Sequence, residues 1–411
     1  MKKKVILIIA DGVGDRPCDI LEGKTPLEYA RTPNLDKLAM TGTTGIMDVL
    51  GPGIPIGTDL GHMILFGYGQ KDYPGRGPIE ASGAGLQLEP GDVALRSNFA
   101  TVDENLNVID RRAGRIRKNT NLLAASINGM EIDGVKILFK EATEHRAVLV
   151  LRGKGLSANI TDSDPKVLNG DTKYKKVEST DGSKESIFTA NVLNKFLLEA
   201  NEILKNHDVN KERLQNGELP ANFILTRGAG MMPNMKKITD ELGFKASCVA
   251  AEGTVLGVAR LAGFNIVTDT AFTGNLDTNV ELKAEYVVKE LVNNDFVAVN
   301  LKAPDLMGHD NNPKGKVEAI ELVDKFVGNI LKHDLENTII AVAADHSTPC
   351  ERKEHSGDPV PILIAGFGVR RDRIDAFNEV DCSHGGLGRI KGYEFVQILY
   401  DYMEIVKKQG N

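Results

Sequence analysis

Ala341–Pro361 reads AVAADHSTPCERKEHSGDPVP, and its first half decides the fold. An apolar, β-prone run, Ile339–Ala344, stops abruptly at Asp345-His346, and His355 follows after a short polar loop. A strand that ends in Asp-His sets two metal-ligating side chains on the rim of a sheet. In α/β proteins that rim, at the carboxyl ends of parallel strands, is where ligands bind. Two other apolar runs end the same way: Val5–Ala10 stops at Asp11, and Phe296–Leu301 stops just short of Asp305 and His309. Asp11, Asp305, His309, Asp345, His346 and His355 form a mixed carboxylate and imidazole set. Such a set suits Mn²⁺, Zn²⁺ or Fe rather than Ca²⁺. An unpaired carboxylate at the end of a buried strand is costly, and a pair of cations removes that cost. His62, His145, His207, His333 and His384 lack this placement, although His62 and His384 lie beside glycine-rich turns.

Outward from this stretch, strands and helices alternate. After Met232 the expected order is a helix over 233–242, a strand over 245–250, a helix over 254–263 and a helix over 279–293. A strand over 296–301, a helix over 315–333, strands over 338–344 and 360–365 and a last helix from Gly392 complete the series. At the start, Val5–Ala10 is a continuous apolar run, the pattern of a buried parallel strand. Thr32-Pro33 opens a helix that Gly42 closes, with Thr32 as the expected cap. The alternation predicts an α/β fold, a mostly parallel sheet sandwiched by helices. The stretch from Lys71 to about Met231 breaks the rhythm. It brings a glycine-rich segment (Gly75–Gly85), a strand-like His145–Arg152, a helix over Ser186–Asn206, and an apolar run, Asn222–Thr226, that ends at Arg227. The expected organisation is a metal-binding core of residues 1–72 and 232–411, with an inserted α+β domain over 73–231. At 411 residues the chain exceeds the ~250–300 at which single cores usually divide.

Composition excludes several functions. Net charge is −7, Trp is absent and aromatics are 5%, so there is neither a basic stripe nor a stacking platform for nucleic acid. The sequence has no apolar run of the ~18 residues a membrane span needs. MKKKVILIIADG reads as the first strand rather than a secretory leader, because Asp11 interrupts the apolar run and no cleavage site of small residues follows. Cys18, Cys248, Cys350 and Cys382 are widely spaced and form no CxxC, which argues for a reducing compartment, by default the cytoplasm. A homo-oligomer is compatible with all of this.

Residues 51–57 are too rich in Gly and Pro for regular structure, so Thr58 is expected at the start of a helix reaching Leu65. A hydroxyl beside free N–H groups at a positive helix end can accept a phosphoryl group, and it can equally be a simple N-cap. These residues alone leave both open. Arginines beside glycines, in Asp110-Arg111-Arg112-Ala113-Gly114-Arg115 and Arg227-Gly228-Ala229-Gly230, suit phosphate or carboxylate clamps.

Taken together, Asp11-Gly12, Thr32-Pro33-Asn34-Leu35-Asp36-Lys37-Leu38, Asp305 with His309, Asp345-His346-Ser347 and His355 through Pro361 resemble the alkaline phosphatase superfamily. The resemblance is closest to the archaeal-type, cofactor-independent phosphoglycerate mutases, and it extends over essentially the whole chain. It implies two divalent ions, Mn²⁺ first, with Zn²⁺, Co²⁺ or Mg²⁺ as alternatives. One ion would take Asp305, His309 and His355, the other Asp11, Asp345, His346 and the nucleophile Thr58. It also implies a small phosphorylated substrate, 3-phosphoglycerate or 2-phosphoglycerate. Asp110, Arg111, Arg115 and Arg227 would hold that substrate, with the inserted domain closing on the core. Three positions depart from the family pattern: Thr58 stands where Ser is usual, Leu256 where Lys is usual, and Lys166 where His is usual. The alternatives are a phosphatase or phosphotransferase of the same superfamily acting on another small phosphorylated metabolite, or a metal-stabilised binding protein without turnover.

Overall fold

The computed structural model describes residues 3–168 and 172–410. By its contacts the chain divides into residues 1–73 with 236–411 and residues 74–235, and each unit has its own sheet and core.

The first unit is built on an eight-stranded sheet. Its order is 265–267, 246–249, 296–301, 4–10, 338–343, 360–366, 43–48, 388–391. Lys4–Ala10 lies between Phe296–Leu301 and Thr338–Ala343 and is parallel to both. Val5, Ile6, Leu7, Ile8 and Ile9 are fully buried. Each such side chain contributes roughly 1.5–3 kcal/mol, which is why these runs carry no polar alternation. The fold class read from the βα rhythm is borne out. One strand departs from the parallel rule: Val360–Gly366 runs antiparallel to Thr338–Ala343 and to Thr43–Asp48. It therefore starts at the rim where the parallel strands end. The loop leading to it, 344–359, is zipped across its width by Ser347 and Ser356, whose N–H donates to the Ser347 carbonyl at 3.0 Å.

Several local expectations need correcting. Asp305 and His309 lie on a helix, Ala303–His309, that the sequence pattern did not announce, and their i, i+4 spacing puts both on one face. The helix expected over 233–242 is confined to Ile238–Leu242. Met232 remains tied to the strand register of the second unit through Asp92, and Pro233 then has no N–H to give. Thr32 precedes the helix Pro33–Thr41 without capping it; the free N–H groups of Asn34 and Leu35 are taken instead by the Asp324 carboxylate, both at 2.8 Å.

The second unit has a six-stranded sheet in which Val93–Val102 pairs antiparallel with Arg146–Arg152 and with Phe223–Met231. The latter strand was expected to stop before Arg227. It runs on to Met231 because Val93–Val102 offers partners along its whole length, so Arg227 lies opposite Arg96. Phe99, Phe139, Phe196 and Phe223 fill this core. Among the described residues no helix is long and apolar enough to cross a membrane. The four cysteines are free and buried.

Candidate active site

All six metal-ligand candidates and Thr58 meet at the carboxyl rim of the first unit's sheet. Asp11, Asp345 and His346 sit where the backbone leaves a buried strand, His355 lies on the connection to the reversed strand, and Asp305, His309 and Thr58 are carried on short helices at the rim. Asp11 and Asp345 are fully buried, and Asp305 is buried.

Two of the histidines have their protons assigned by the main chain. His309 Nδ1 donates to the Lys353 carbonyl at 2.9 Å, and His355 Nδ1 donates to the Ile56 carbonyl at 2.7 Å. Their Nε2 atoms then face each other at 3.2 Å, each 3.4 Å from Asp305 Oδ1. Two lone pairs and a carboxylate oxygen with no proton between them fit a cation, and outward hydrogen bonds of this kind are how ligating histidines are oriented.

A second focus forms on the other side of the His346 ring, which stacks on His355 at 3.6 Å. His346 Nδ1 donates to Thr348 Oγ1 at 3.1 Å, and that hydroxyl donates to Asp305 Oδ1 at 2.6 Å. His346 Nε2 is thereby left as an acceptor, 3.2 Å from Thr58 Oγ1, 3.2 Å from Asp345 Oδ2 and 3.6 Å from Asp11 Oδ1. Asp345 Oδ2 is buried and has no hydrogen bond, although two imidazole nitrogens lie 3.2 Å from it. An orphaned, buried carboxylate oxygen at the centre of such a set is the condition a metal ion relieves. Three groups among the described residues have ligand atoms within 4.8 Å of one another: Asp305, His346 and His355; His309, Glu354 and His355, which shares His355 with the first; and Asp11, His62 and Asp345. The donor set therefore fits divalent ions at both foci.

Thr58 is the first residue of the helix Thr58–Leu65, and Gly57 occupies the cap position. The simple N-cap reading fails, because the hydroxyl reaches across to His346 and to Lys302 Nζ (3.1 Å) instead of to its own helix. His62, one turn on, donates from Nδ1 to the Thr58 carbonyl at 2.8 Å. Asn300 spends one amide proton on Asp11 Oδ2 (2.8 Å) and lies 3.1 Å from His62 Nε2. Lys302 is the largest omission from the sequence reading. Its ammonium lies 2.9 Å from Asp11 Oδ1 and 2.8 Å from Asp305 Oδ2.

The electrostatics follow from burial and these neighbours. Burial pushes the Asp11 carboxyl above its ordinary range, and Asp345 adds to the push. Burial acts the same way on Asp345, but His346 and His62 outweigh it and hold that carboxyl well below the ordinary range. Desolvation opposes the charge on Lys302, yet Asp11, Asp305 and Asp345 together raise its pKa. Leu256 is buried on Gly253–Ala262, a helix packed against Thr58–Leu65, so position 256 supplies no cation to the site.

In the second unit, Arg111, Arg115 and Arg227 line one cavity of about 320 Å³ together with Asn98, Arg112 and His145. Arg227 Nε and His145 Nδ1 are buried there without a hydrogen-bond partner among the described residues. Arg111 is already engaged: it grips Asp164 with two nitrogens at 2.7 and 2.6 Å and the Lys166 carbonyl with a third at 2.7 Å. Asp110 does not line the cavity; it accepts from the Arg112 N–H at 2.6 Å and so shapes the loop. Lys166 pairs with Asp162 at 3.2 Å. His145 and Arg112 were within reach of the sequence reading, since both lie in segments it singled out.

The shape and the ligand set define a metal-site α/β protein carrying a hydroxyl nucleophile candidate. The pattern of the 2,3-bisphosphoglycerate-independent phosphoglycerate mutases matches residues 39–210. A mutase of that name from Pyrococcus abyssi is 48% identical over 415 residues, covering 100% of both chains. Another, from Methanosphaera stadtmanae, is 44% identical over 411 residues, covering 99% of this chain and 100% of its own. A solved protein from Pyrococcus horikoshii superposes with a TM-score of 0.84 at 40% identity and full coverage of both chains. The cofactor-independent phosphoglycerate mutase of Thermoplasma acidophilum does so at 0.75 and 38%, covering 98% of this chain and 100% of its own. The chain belongs to the family of 2,3-bisphosphoglycerate-independent phosphoglycerate mutases.

Proposed function

We propose that this chain interconverts 3-phosphoglycerate and 2-phosphoglycerate by passing the phosphoryl group through Thr58. The observation that carries the reading is the environment of Thr58 Oγ1: a hydroxyl at a helix N-terminus held by His346 Nε2 and Lys302 Nζ, with Asp345 and Asp11 gathered around the same His346 nitrogen. Asp305, His309 and His355 would hold one divalent ion and Asp11, Asp345, His346 and Thr58 the other, Mn²⁺ being our first choice. Bound there, the ions would lower the pKa of the hydroxyl and neutralise charge on the transferring group.

The chain's own residues do the rest. The helix dipole and the first free N–H groups of Thr58–Leu65 favour negative charge at Thr58. The Thr58 Oγ–phosphorus bond forms as the bond from phosphorus to the glycerate oxygen breaks. The proton that leaves Thr58 is the one the departing glycerate oxygen needs. The reverse step delivers phosphorus to the neighbouring hydroxyl of the same glycerate. That return requires the glycerate to stay bound, and the arginine cavity with its unpartnered Arg227 Nε supports such a role. In the same reading residues 73–231 are the substrate-clamping domain. A cytoplasmic setting belongs to the same reading and is supported by four thiols kept free and buried.

The test follows conversion of 3-phosphoglycerate, release of inorganic phosphate and phosphothreonine by mass spectrometry. Thr58→Ala should abolish turnover and Thr58→Ser should keep it, with metal content little changed. An active Thr58→Ala protein would refute the mechanism. Release of phosphate without 2-phosphoglycerate would make the protein a phosphatase.

A further inference from the structure

Lys302 follows the strand Phe296–Leu301 and precedes the helix Ala303–His309. An ammonium has three protons to donate, and here each has an acceptor from a different part of the site. Asp11 Oδ1 is at 2.9 Å, Asp305 Oδ2 at 2.8 Å and Thr58 Oγ1 at 3.1 Å. Asp11 belongs to one ligand set and Asp305 to the other, so the ammonium stands between the two foci. Its side chain is only 14% exposed. Its stem passes Gly274, where a Cβ would lie 3.6–3.7 Å from Lys302 Cγ and Cβ. The approach is confined and aimed.

An ammonium among metal ligands weakens their hold on cations, by simple repulsion. A charge balance gives it a use. Asp11, Asp305 and Asp345 against two divalent ions leave one positive charge, and Lys302 makes it two. A phosphate monoester near neutral pH carries up to about two negative charges, so the site with Lys302 is matched to a phosphoryl group and without it falls one short.

We propose that Lys302 is a catalytic residue of the phosphoryl transfer, binding a non-bridging oxygen of the group carried on Thr58. This rests on Thr58 being the nucleophile. During the transfer Lys302 keeps its proton. The hydrogen bond it now gives the free hydroxyl moves to the phosphoryl oxygen, and the bonds to Asp11 and Asp305 hold the ammonium in place.

Lys302→Met keeps length and removes charge, and Lys302→Arg keeps charge. The methionine variant should lose about 100–1000-fold in kcat, the range for a preorganised donor, while KM changes no more than a few-fold. It should accumulate less phosphothreonine and bind Mn²⁺ at least as tightly as the parent by titration calorimetry. Lys302→Arg should recover at least about tenfold of the lost kcat. If Lys302→Met loses its metal, the lysine organises the carboxylates and the inference fails. If it keeps metal and turns over within about threefold of the parent, the inference fails as well. If the methionine protein does not fold, Lys302→Gln and Lys302→Arg are compared, and equal kcat in the two overturns the proposal. Thr58→Ala in the same assays separates the two readings: an active Thr58→Ala sinks the nucleophile, whereas an inert Thr58→Ala beside an unimpaired Lys302→Met sinks only the lysine.

Discussion

The rim of the first unit and the arginine cavity of the second are both polar, yet they are built in opposite ways. In the rim, side chains leave the ends of fully buried strands, and nearly every polar atom is tied down by another residue. Asp11 answers to Asn300 and Lys302, Asp305 to Thr348 and Lys302, and His309 and His355 to backbone carbonyls. In the cavity, side chains come largely from loops. Ala113, Gly114, Arg115 and Glu144 have positive φ, and buried nitrogens of Arg227 and His145 have no hydrogen-bond partner among the described residues. The difference separates two tasks. Chemistry needs reacting atoms fixed in advance, whereas recognition can leave donors unsatisfied until the ligand supplies the acceptor.

That contrast can be broken most severely at the rim. His355→Ala removes one of the two facing lone pairs and should strip the ion shared with Asp305 and His309, cutting turnover by roughly 10⁴-fold or more. Elemental analysis that finds the metal content of the variant unchanged would overturn the assignment. In the cavity, Arg227→Met should raise KM by about 10–100-fold, the loss of a charge-assisted donor worth roughly 1.5–3 kcal/mol, and leave metal content intact. A parent-like KM would mean that the orphaned nitrogen does not meet the substrate.

Two smaller effects sharpen the rim's side of the comparison. Thr348→Val keeps the shape but deletes the hydroxyl joining His346 Nδ1 to Asp305 Oδ1. It should weaken metal binding by about 10–100-fold, the usual effect of removing such a support, and Thr348→Ser should restore it. Equal isotherms for the valine and serine variants would assign Thr348 to packing alone. The smallest effect concerns Glu379, which supports the turn behind Asp11 by accepting from Asp15 N at 3.2 Å and Thr25 Oγ1 at 2.8 Å. Burial pushes its carboxyl from 4.5 up to about 7. Between those values the folded protein keeps a proton that the unfolded chain has lost. The stability from this group is therefore present below 4.5 and is lost as pH rises through about 7. Glu379→Gln should flatten that slope and raise Tm at pH 8 relative to the parent by roughly 2–4 °C. Parallel slopes for the two proteins would remove Glu379 from this role.

The legible parts of the molecule were those in which one residue type means one thing. Unbroken apolar runs such as Val5–Ala10 and Phe296–Leu301 can only be buried strands, and a carboxylate behind each marked the rim. Lys302 was not legible because a lysine after a strand is ordinary. What makes this one unusual is three acceptors drawn from residues 11, 58 and 305, a coincidence of tertiary structure. Arg227 was seen as a turn residue because Gly-Ala-Gly follows it, but pairing with Val93–Val102 outweighed local propensity. Asp110 was read as a substrate contact, and one of its carboxylate oxygens accepts from the adjacent Arg112 N–H, a local bond that acidic residues at turns often make.

The reversed strand Val360–Gly366 has a consequence for where the chain tolerates change in length. Because it runs antiparallel, the connection before it begins and ends at the same rim, so residues 345, 346 and 355 all come from a single connection, anchored at both ends in the sheet and stitched in its middle by Ser347 and Ser356. Such a connection has no slack. One added residue would shift His355 against His309 by up to the ~3.3 Å rise of an extended residue, more than the whole separation a shared ion spans. Between the strands Lys4–Ala10 and Phe296–Leu301, neighbours in the sheet, the chain instead accommodates an entire second unit. Chain length is therefore accommodated at the insertion of residues 74–235 and fixed residue by residue around His355.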